Sequence, residues 1–464
     1  MAHGYPYFEP DFVHPSEYIP PLEVCIDNET SDDVTLIKVN GANNHNILLK
    51  VVQILSDLDL IISKSYISSD GDWFMHVFHV TNQHGHKLND PTLVCYLQHS
   101  LNITQKEDGP SDPPHVKISH GRIVNFNHFA TTALELCFLD RPNIFSEVVD
   151  VLSKYSYVID SGELWTHNGR VACIIYIKEH DTNLPIFDQE RFDYLGDYLA
   201  SLMKTHHFLK ELWEVRLRNP LACRIHTERR LHQLLQEYKD YEIADKDNTT
   251  ECPSQVSIES WKERDCLVVN VKSKDRPKLM YDTLCALTNL NYEVFQGFTS
   301  TKDSVAVQEY FVRRVNGHTM LDEVEKKNMF QNLVAAIERR VSQGLKMKVR
   351  TFDRHGLLAL ITRELRENSL SLKTTQFSKD DCLAIGTFHI TDDSSSINAD
   401  VIDQRRLDTV CDKIGADVYF ERKTDCNISS VDRSRWSLFS KFYSLGKCLW
   451  SHIKSFFRKF SFIR

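Results

Sequence analysis

Three short turns carry the residues with the clearest chemical use. They read Asp140-Arg141-Pro142-Asn143, Asp275-Arg276-Pro277-Lys278 and Asp353-Arg354-His355-Gly356. Each follows an apolar run of strand length and opens an apolar-periodic segment of helix length, from Leu134, Val268 and Met347 onward. A turn of this kind presents unpaired backbone N–H groups at the positive end of a helix, which suits a carboxylate. A plainer reading stands beside it. The Asp would cap free N–H groups, the Pro would sit in the first helical turn, and the Arg would be solvated.

Other constellations of reactive residues are weaker. His76, His79, His84 and His86 cluster near the end of the first repeat. A metal site needs at least three ligands converging on one point. His76 and His79 stand three apart on an expected strand and so face opposite sides. His206-His207 lacks a third partner. No GxSxG, GxxxxGK[ST], strand-linked GxGxxG or HExxH occurs, so hydrolase, phosphate-loop, dinucleotide and zinc-protease readings have no motif. The twelve cysteines are scattered without a CxxC pair, and Cys137, Cys173, Cys266 and Cys285 fall in apolar segments, as reduced core cysteines do. The expectation is a protein with no catalytic residues, no cofactor and no metal.

The turns belong to a longer repeated passage of strand, turn, helix and strand hairpin. A fainter copy runs from Val34 to Thr81, with Gly41-Ala42-Asn43-Asn44 in place of Asp-Arg-Pro. In the second copy, Ile144, Phe145, Val148, Val149 and Leu152 recur at helical spacing, and Asn168-Gly169 marks a two-residue hairpin between β-rich segments. A second helical pattern follows each copy, and Asp417 to Glu421 reads as a closing strand. The fold class expected is α+β, a tandem of ferredoxin-like βαββαβ units. Such a unit leaves a sheet face and edges uncovered and stabilises itself by pairing with a sister through their sheets.

The boundaries read as an acidic, proline-rich arm at 1–33, units at 34–104, 131–210, 264–343 and 345–425, a helical linker at 211–260, and a basic tail at 434–464. The third and fourth units, joined directly, are expected to be the most rigidly connected pair.

Four such units in tandem resemble the plant ACT-repeat proteins, whose units are similar to those ending bacterial PII uridylyltransferases. The resemblance covers roughly residues 34–425 and extends to the linker segment Thr227 to Leu234. It implies a binding module for free amino acids or similar metabolites, placed where two ACT units meet, with a protein partner downstream. Many ACT domains carry a glycine just after Asp-Arg-Pro, where ligand and backbone approach closely. Here only Gly356 keeps it. Asn143 and Lys278 replace it, and the first copy offers only Gly41 and Asn43. The resemblance leaves a homodimer open, since ACT units commonly complete their interfaces between chains.

Charge divides the chain. The net charge is -9 over 464 residues, with 42% hydrophobic and 26% charged residues, the profile of a folded protein. Residues 434–464 hold seven Lys or Arg and no acid, leaving about -16 on the remainder by subtraction. An acidic body argues against a nucleic-acid partner. On a helix the tail segregates Trp450, Phe456 and Phe457 from Lys454, Arg458 and Lys459, the pattern of an interfacial membrane helix. Packing on a sheet face or on a partner helix would use the same pattern. No secretory leader is read at the N-terminus, so the location expected is cytoplasmic, with the nucleus and a membrane surface left open.

Overall fold

The computed structural model describes residues 22–44, 46–103, 116–119, 122–125, 131–206, 213–218, 226–242, 254–315, 321–341, 344–380, 382–392, 402–415 and 417–421. The tail expected at 434–464 lies outside them, with Trp450, Lys454, Phe456, Phe457, Arg458 and Lys459.

Unit 1 comprises β1 (Glu23–Asp27), β2 (Thr35–Ala42), α1 (Ile47–Asp57), β3 (Ile61–Asp70), β4 (Trp73–Thr81) and α2 (Pro91–Ile103). A hairpin follows, β5 (Val116–Ser119) and β6 (Arg122–Asn125). Unit 2 comprises β7 (Thr132–Leu139), α3 (Ile144–Lys154), β8 (Tyr157–His167), β9 (Arg170–Glu179), α4 (Gln189–His206) and β10 (Trp213–Arg218). Helix α5 (Thr227–Glu237) stands between the halves. Unit 3 comprises β11 (Gln255–Trp261), β12 (Cys266–Lys274), α6 (Leu279–Asn289), β13 (Tyr292–Lys302), β14 (Val305–Arg314) and α7 (Glu323–Glu338). Unit 4 comprises β15 (Leu345–Phe352), α8 (Leu357–Glu367), β16 (Leu370–Asp380), β17 (Leu383–Asp392), α9 (Gln404–Ile414) and β18 (Asp417–Glu421).

The units pair alternately. Unit 1 joins unit 3 in one eight-stranded antiparallel sheet, β1-β2-β4-β3-β13-β14-β12-β11, and unit 2 joins unit 4 in another, β10-β7-β9-β8-β16-β17-β15-β18. The expectation that units 3 and 4 are the most rigidly connected pair is therefore corrected, since they lie in different sheets. The joints are edge to edge, β3 on β13 and β8 on β16. Small residues sit at the joints: Gly297 opposite Ile67, and Gly162 opposite Phe377. A Cβ on Gly297 would lie 2.7 Å from the Tyr310 ring. Side chains reinforce the backbone pairing, with Ser65 and Thr299 hydroxyls 2.8 Å apart and Gln376 donating to Glu163 at 2.9 Å.

Like joins like in a second sense. Units 2 and 4 close their sheets with a strand that follows the second helix, β10 and β18, giving the expected βαββαβ order. Units 1 and 3 instead take that edge strand from before the unit, β1 on β2 and β11 on β12. Strand β1 thus lies inside the segment read as an arm, and β10 and all but the last residue of β11 lie inside the segment read as a helical linker.

Local chemistry explains the elements. Asn168 and Gly169 both have positive φ, 45° and 71°, as a type I′ hairpin turn requires. Helix α3 buries Ile144, Val148, Val149, Val151 and Leu152 on the sheet, with Phe145 half-buried beside them. Strand β7 is buried along both faces except at its last residue. Leu134, Leu136 and Phe138 meet the helices of their own layer, while Ala133 and Cys137 meet Leu231, Leu234 and Leu235 of α5. Burying each leucine contributes about 2 kcal/mol. Helix α5 is amphipathic in both senses, since its other face lies against α6.

Candidate functional site

The strand-to-helix turns are built alike in all four units. The first turn residue donates its N–H to the tip of the following hairpin: Asn43 to Asp72, Asp140 to Gly169, Asp275 to Ser304 and Asp353 to Cys382, at 2.7–2.9 Å. Three residues later stands a left-handed residue: Asn46 at φ 65°, Asn143 at 80°, Lys278 at 63° and Gly356 at 74°. None of the four makes a side-chain cap. The first N–H of the helix turns back onto its own turn in three units, Ile47 to Asn44, Leu279 to Arg276 and Leu357 to Arg354, while the next N–H groups have no side-chain cap from that left-handed residue. In the first unit, Asn43 aligns with the Asp positions and Asn46 with the glycine position. Gly41 lies two residues earlier, inside β2 and packed on Leu22.

The repeated Arg reaches the end of the second helix of its unit, although Arg141 and Arg354 remain exposed to solvent. Arg141 donates to the carbonyl of His206, Arg276 to Ile337 at 2.6 Å and Arg354 to Ile414 at 2.9 Å. Each target is at or beside the C-terminus of the second helix of the same unit, where carbonyls lack helical partners and a cation complements the dipole.

At the fourth turn the two units of a sheet enclose a cleft. Val149 and Ser153 of α3 and Tyr157 and Ile159 of β8 face the Asp353–Ala359 turn, Phe377 and Lys379 across about 330 Å³ of empty space, part of it open to solvent. Lys379 Nζ holds Asp353 Oδ2 at 2.8 Å. The other oxygen, Asp353 Oδ1, is buried and has no hydrogen-bond partner. His355 stands where the second and third turns have proline, and its Nε2 lies 3.0 Å from the carbonyl of Ser153, latching unit 4 to unit 2. The cleft thus joins an orphaned anionic acceptor to an uncapped helix N-terminus. An ammonium suits the first and a carboxylate the second.

The second turn differs. Its Asp140 is reached by Lys373 of unit 4 at 3.4 Å. Lys373 is the unpaired residue of a β-bulge, a feature that recurs in each unit near the start of the same strand.

The third turn is filled from within. Lys278 Nζ lies 2.6 Å from Glu228 of α5, whose other oxygen meets Arg340. His226 lies 2.9 Å from Asp57 and 3.2 Å from the Tyr281 hydroxyl. Asp57, His226 and Glu228 bring three ligand-type atoms within 4.8 Å of one another. Lys278 and Arg340 beside Glu228 disfavour a metal cation there. Burial alone would raise the Glu228 carboxyl, but Arg340 and Lys278 hold it well below the usual range. Burial likewise pushes His226 down, and Asp57 more than offsets it.

Glu228, His226 and Asn46 are absent from the sequence-based candidates. The signal for Glu228 was the resemblance of the linker segment Thr227 to Leu234, which runs through it and begins just after His226. For Asn46 it was the apolar stripe of α1, which aligns the copies better than Gly41 does.

Residues 30–108 match the family model described as the ACR family N-terminal ACT domain. The ACT domain-containing protein ACR1 of Arabidopsis thaliana is 36% identical over 469 residues, covering 94% of this chain and 94% of its own. ACR4 of the same plant is 39% identical over 392 residues, 83% of this chain and 84% of its own. A bifunctional uridylyltransferase/uridylyl-removing enzyme of Gluconobacter oxydans is 37% identical over 84 residues, only 18% of this chain and 9% of its own. Paired units with a strand-to-helix turn at each joint define a regulatory ACT-repeat protein. The chain belongs to the ACR family of plant ACT domain-containing proteins.

Proposed function

We propose that this protein is a non-catalytic sensor that binds a free amino acid in the cleft between units 2 and 4 and passes the change to a protein partner. The observation that carries this reading is the buried, unpartnered Asp353 Oδ1 beside the left-handed, uncapped turn at Gly356. The ligand's ammonium would meet Asp353 and its carboxylate the N–H groups of α8. Binding shifts the balance of pair arrangements only as far as the ligand prefers one of them.

The test is thermal unfolding of the full chain against the twenty free amino acids. A ligand at about one hundred times its dissociation constant adds roughly 2.7 kcal/mol of apparent stability. Gly356→Val should abolish the shift, because a β-branched residue at φ 74° is strained and its Cβ would lie 3.1 Å from Ser153 Oγ. A ligand shift unchanged in Gly356→Val removes this cleft from consideration. No shift with any amino acid removes the sensor reading.

A second reading, a scaffold tethered to a membrane surface, rests on the clean apolar and basic segregation of residues 434–464. Among the described residues no helix is long and apolar enough to cross a membrane. A chain ending at Asp432 should leave the membrane fraction and disperse in the cytosol if the tail is a tether. An unchanged distribution sinks that reading.

A further inference from the structure

The two sheets repeat one cleft, and the two copies differ in what fills them. In the 2–4 sheet, Gly356 lies close to Ser153 near the end of α3, and both line the cleft. In the 1–3 sheet, Lys278 holds the glycine position and Asp57, the last residue of α1, stands at the corresponding helix end. Between them sits the start of α5. His226, Thr227 and Glu228 are each 3% exposed, so the turn is buried as deeply as a core segment. Glu228 takes both cations offered to it, Lys278 at 2.6 Å and Arg340. His226, just before α5, bridges Asp57 of α1 and Tyr281 of α6.

We propose that α5 is a resident ligand of the 1–3 cleft, its Glu228 carboxylate held by Lys278 and Arg340 at the turn that corresponds to the ligand turn of the 2–4 cleft, a correspondence that rests on the amino-acid reading above. A tethered carboxylate competes at a high effective concentration set by its short connection, so a free amino acid does not enter this cleft unless α5 leaves. The other face of α5 covers β8 and β9 of the 2–4 sheet, through Leu231, Leu234, Leu235 and the 2.7 Å bond between Thr227 and Tyr176. Strand β8 in turn supplies Ile159 to the open cleft. The helix that closes one cleft is thus the backing of the other.

Chemical rescue tests the place of Glu228 without reference to the other cleft. In the full chain, Glu228→Ala strips a buried carboxylate from two cations and should lower the melting temperature by about 5 °C or more. About 0.2 M acetate should restore at least half of that loss relative to chloride at equal ionic strength, and should leave the wild type unmoved. Glu228→Gln keeps the side-chain volume, so it should be destabilised but insensitive to acetate. Equal response of the alanine and glutamine variants, no greater effect of acetate than of chloride, or an alanine variant that refolds in neither salt overturns the proposal. An amino-acid shift lost in Gly356→Val tests the open cleft separately, so failure of either reading can be told from failure of the other.

Discussion

Replacing Asp282 with alanine will lower the stability of the chain by about 3–5 kcal/mol, the scale set by removing one partner from a buried charge cluster. Asp282 is fully buried in the first turn of α6. It meets His232 of α5 at 2.9 Å, Arg276 of its own turn at 2.6 Å and Arg340 at 3.2 Å. Burial pushes its carboxyl up, but Arg340, Arg276 and the His232 hydrogen bond outweigh burial and hold it near 2. The contribution is therefore complete above the ordinary aspartate range and is lost as pH falls toward 2. The cluster runs on. His232 Nδ1 accepts from Arg339 at 2.9 Å, Arg339 grips Asp240 with two bonds of 2.6 and 2.7 Å, and Asp240 holds His167 at the end of β8 at 2.9 Å. Removing Asp282 leaves Arg276 and Arg340 short of a counter-charge and His232 short of its acceptor, so the joint between the 2–4 sheet and unit 3 loosens at its centre. Urea unfolding measures the loss directly, and Asp282→Asn, which keeps an acceptor for His232, should cost less than the alanine. A loss below about 1 kcal/mol for the alanine variant would show that this cluster behaves like a surface ion pair.

That cluster also marks the limit of what could be read in advance. Strand, turn, helix and hairpin were legible in each copy because burial imposes a period that repetition then confirms, as with the stripe from Ile144 to Leu152 and the Asn168-Gly169 turn. The closing strand β18 was legible for the same reason. Edge strands β1 and β11 were not, because each is only half-covered and turns just two aliphatic residues to the core, Val24 and Ile26 or Val256 and Ile258. The alternate pairing was not legible either. Joints made by backbone hydrogen bonds leave few side-chain marks, here Gly162 and Gly297 opposite larger residues. The Asp-Arg turns stood out, yet the role of Arg depends on a carbonyl about 60 residues away in the chain, which no local window contains. Lys278 looked like a lost glycine. Only the arrival of Glu228 from a distant helix turns it into half of an ion pair.

Replacing His76 with leucine will stabilise the protein, and increasingly so as the pH falls. His76 lies on β4 with no solvent exposure, beside Phe74 at 4.7 Å between ring centroids, and neither ring nitrogen has a hydrogen-bond partner. Both side-chain polar atoms of Gln53 on α1 are buried and unpartnered in the same core. Burying polar atoms without partners costs roughly 1–3 kcal/mol, which leucine avoids at any pH. The pH-dependent part has a definite sign. Burial lowers the folded pKa of His76 to about 3, the Met75 backbone pulling weakly the other way without a hydrogen bond of normal geometry. The unfolded ring takes a proton near its ordinary 6.5 while the folded one does not, so stability is held above 6.5 and falls below it by about 1.4 kcal/mol per unit until pH approaches 3. By pH 5 the loss attributable to His76 is about 2 kcal/mol. His232 titrates in the same window, its pKa lowered to about 4 by burial against the pull of Asp282. Subtracting the His76→Leu curve from that of the wild type cancels His232 and leaves His76 alone. Denaturant unfolding between pH 7.5 and about 5 should show the gap between the two proteins widening as acid is added. A constant gap would mean that the ring finds a proton-holding partner in the fold, and a narrowing one would mean that it is charged there.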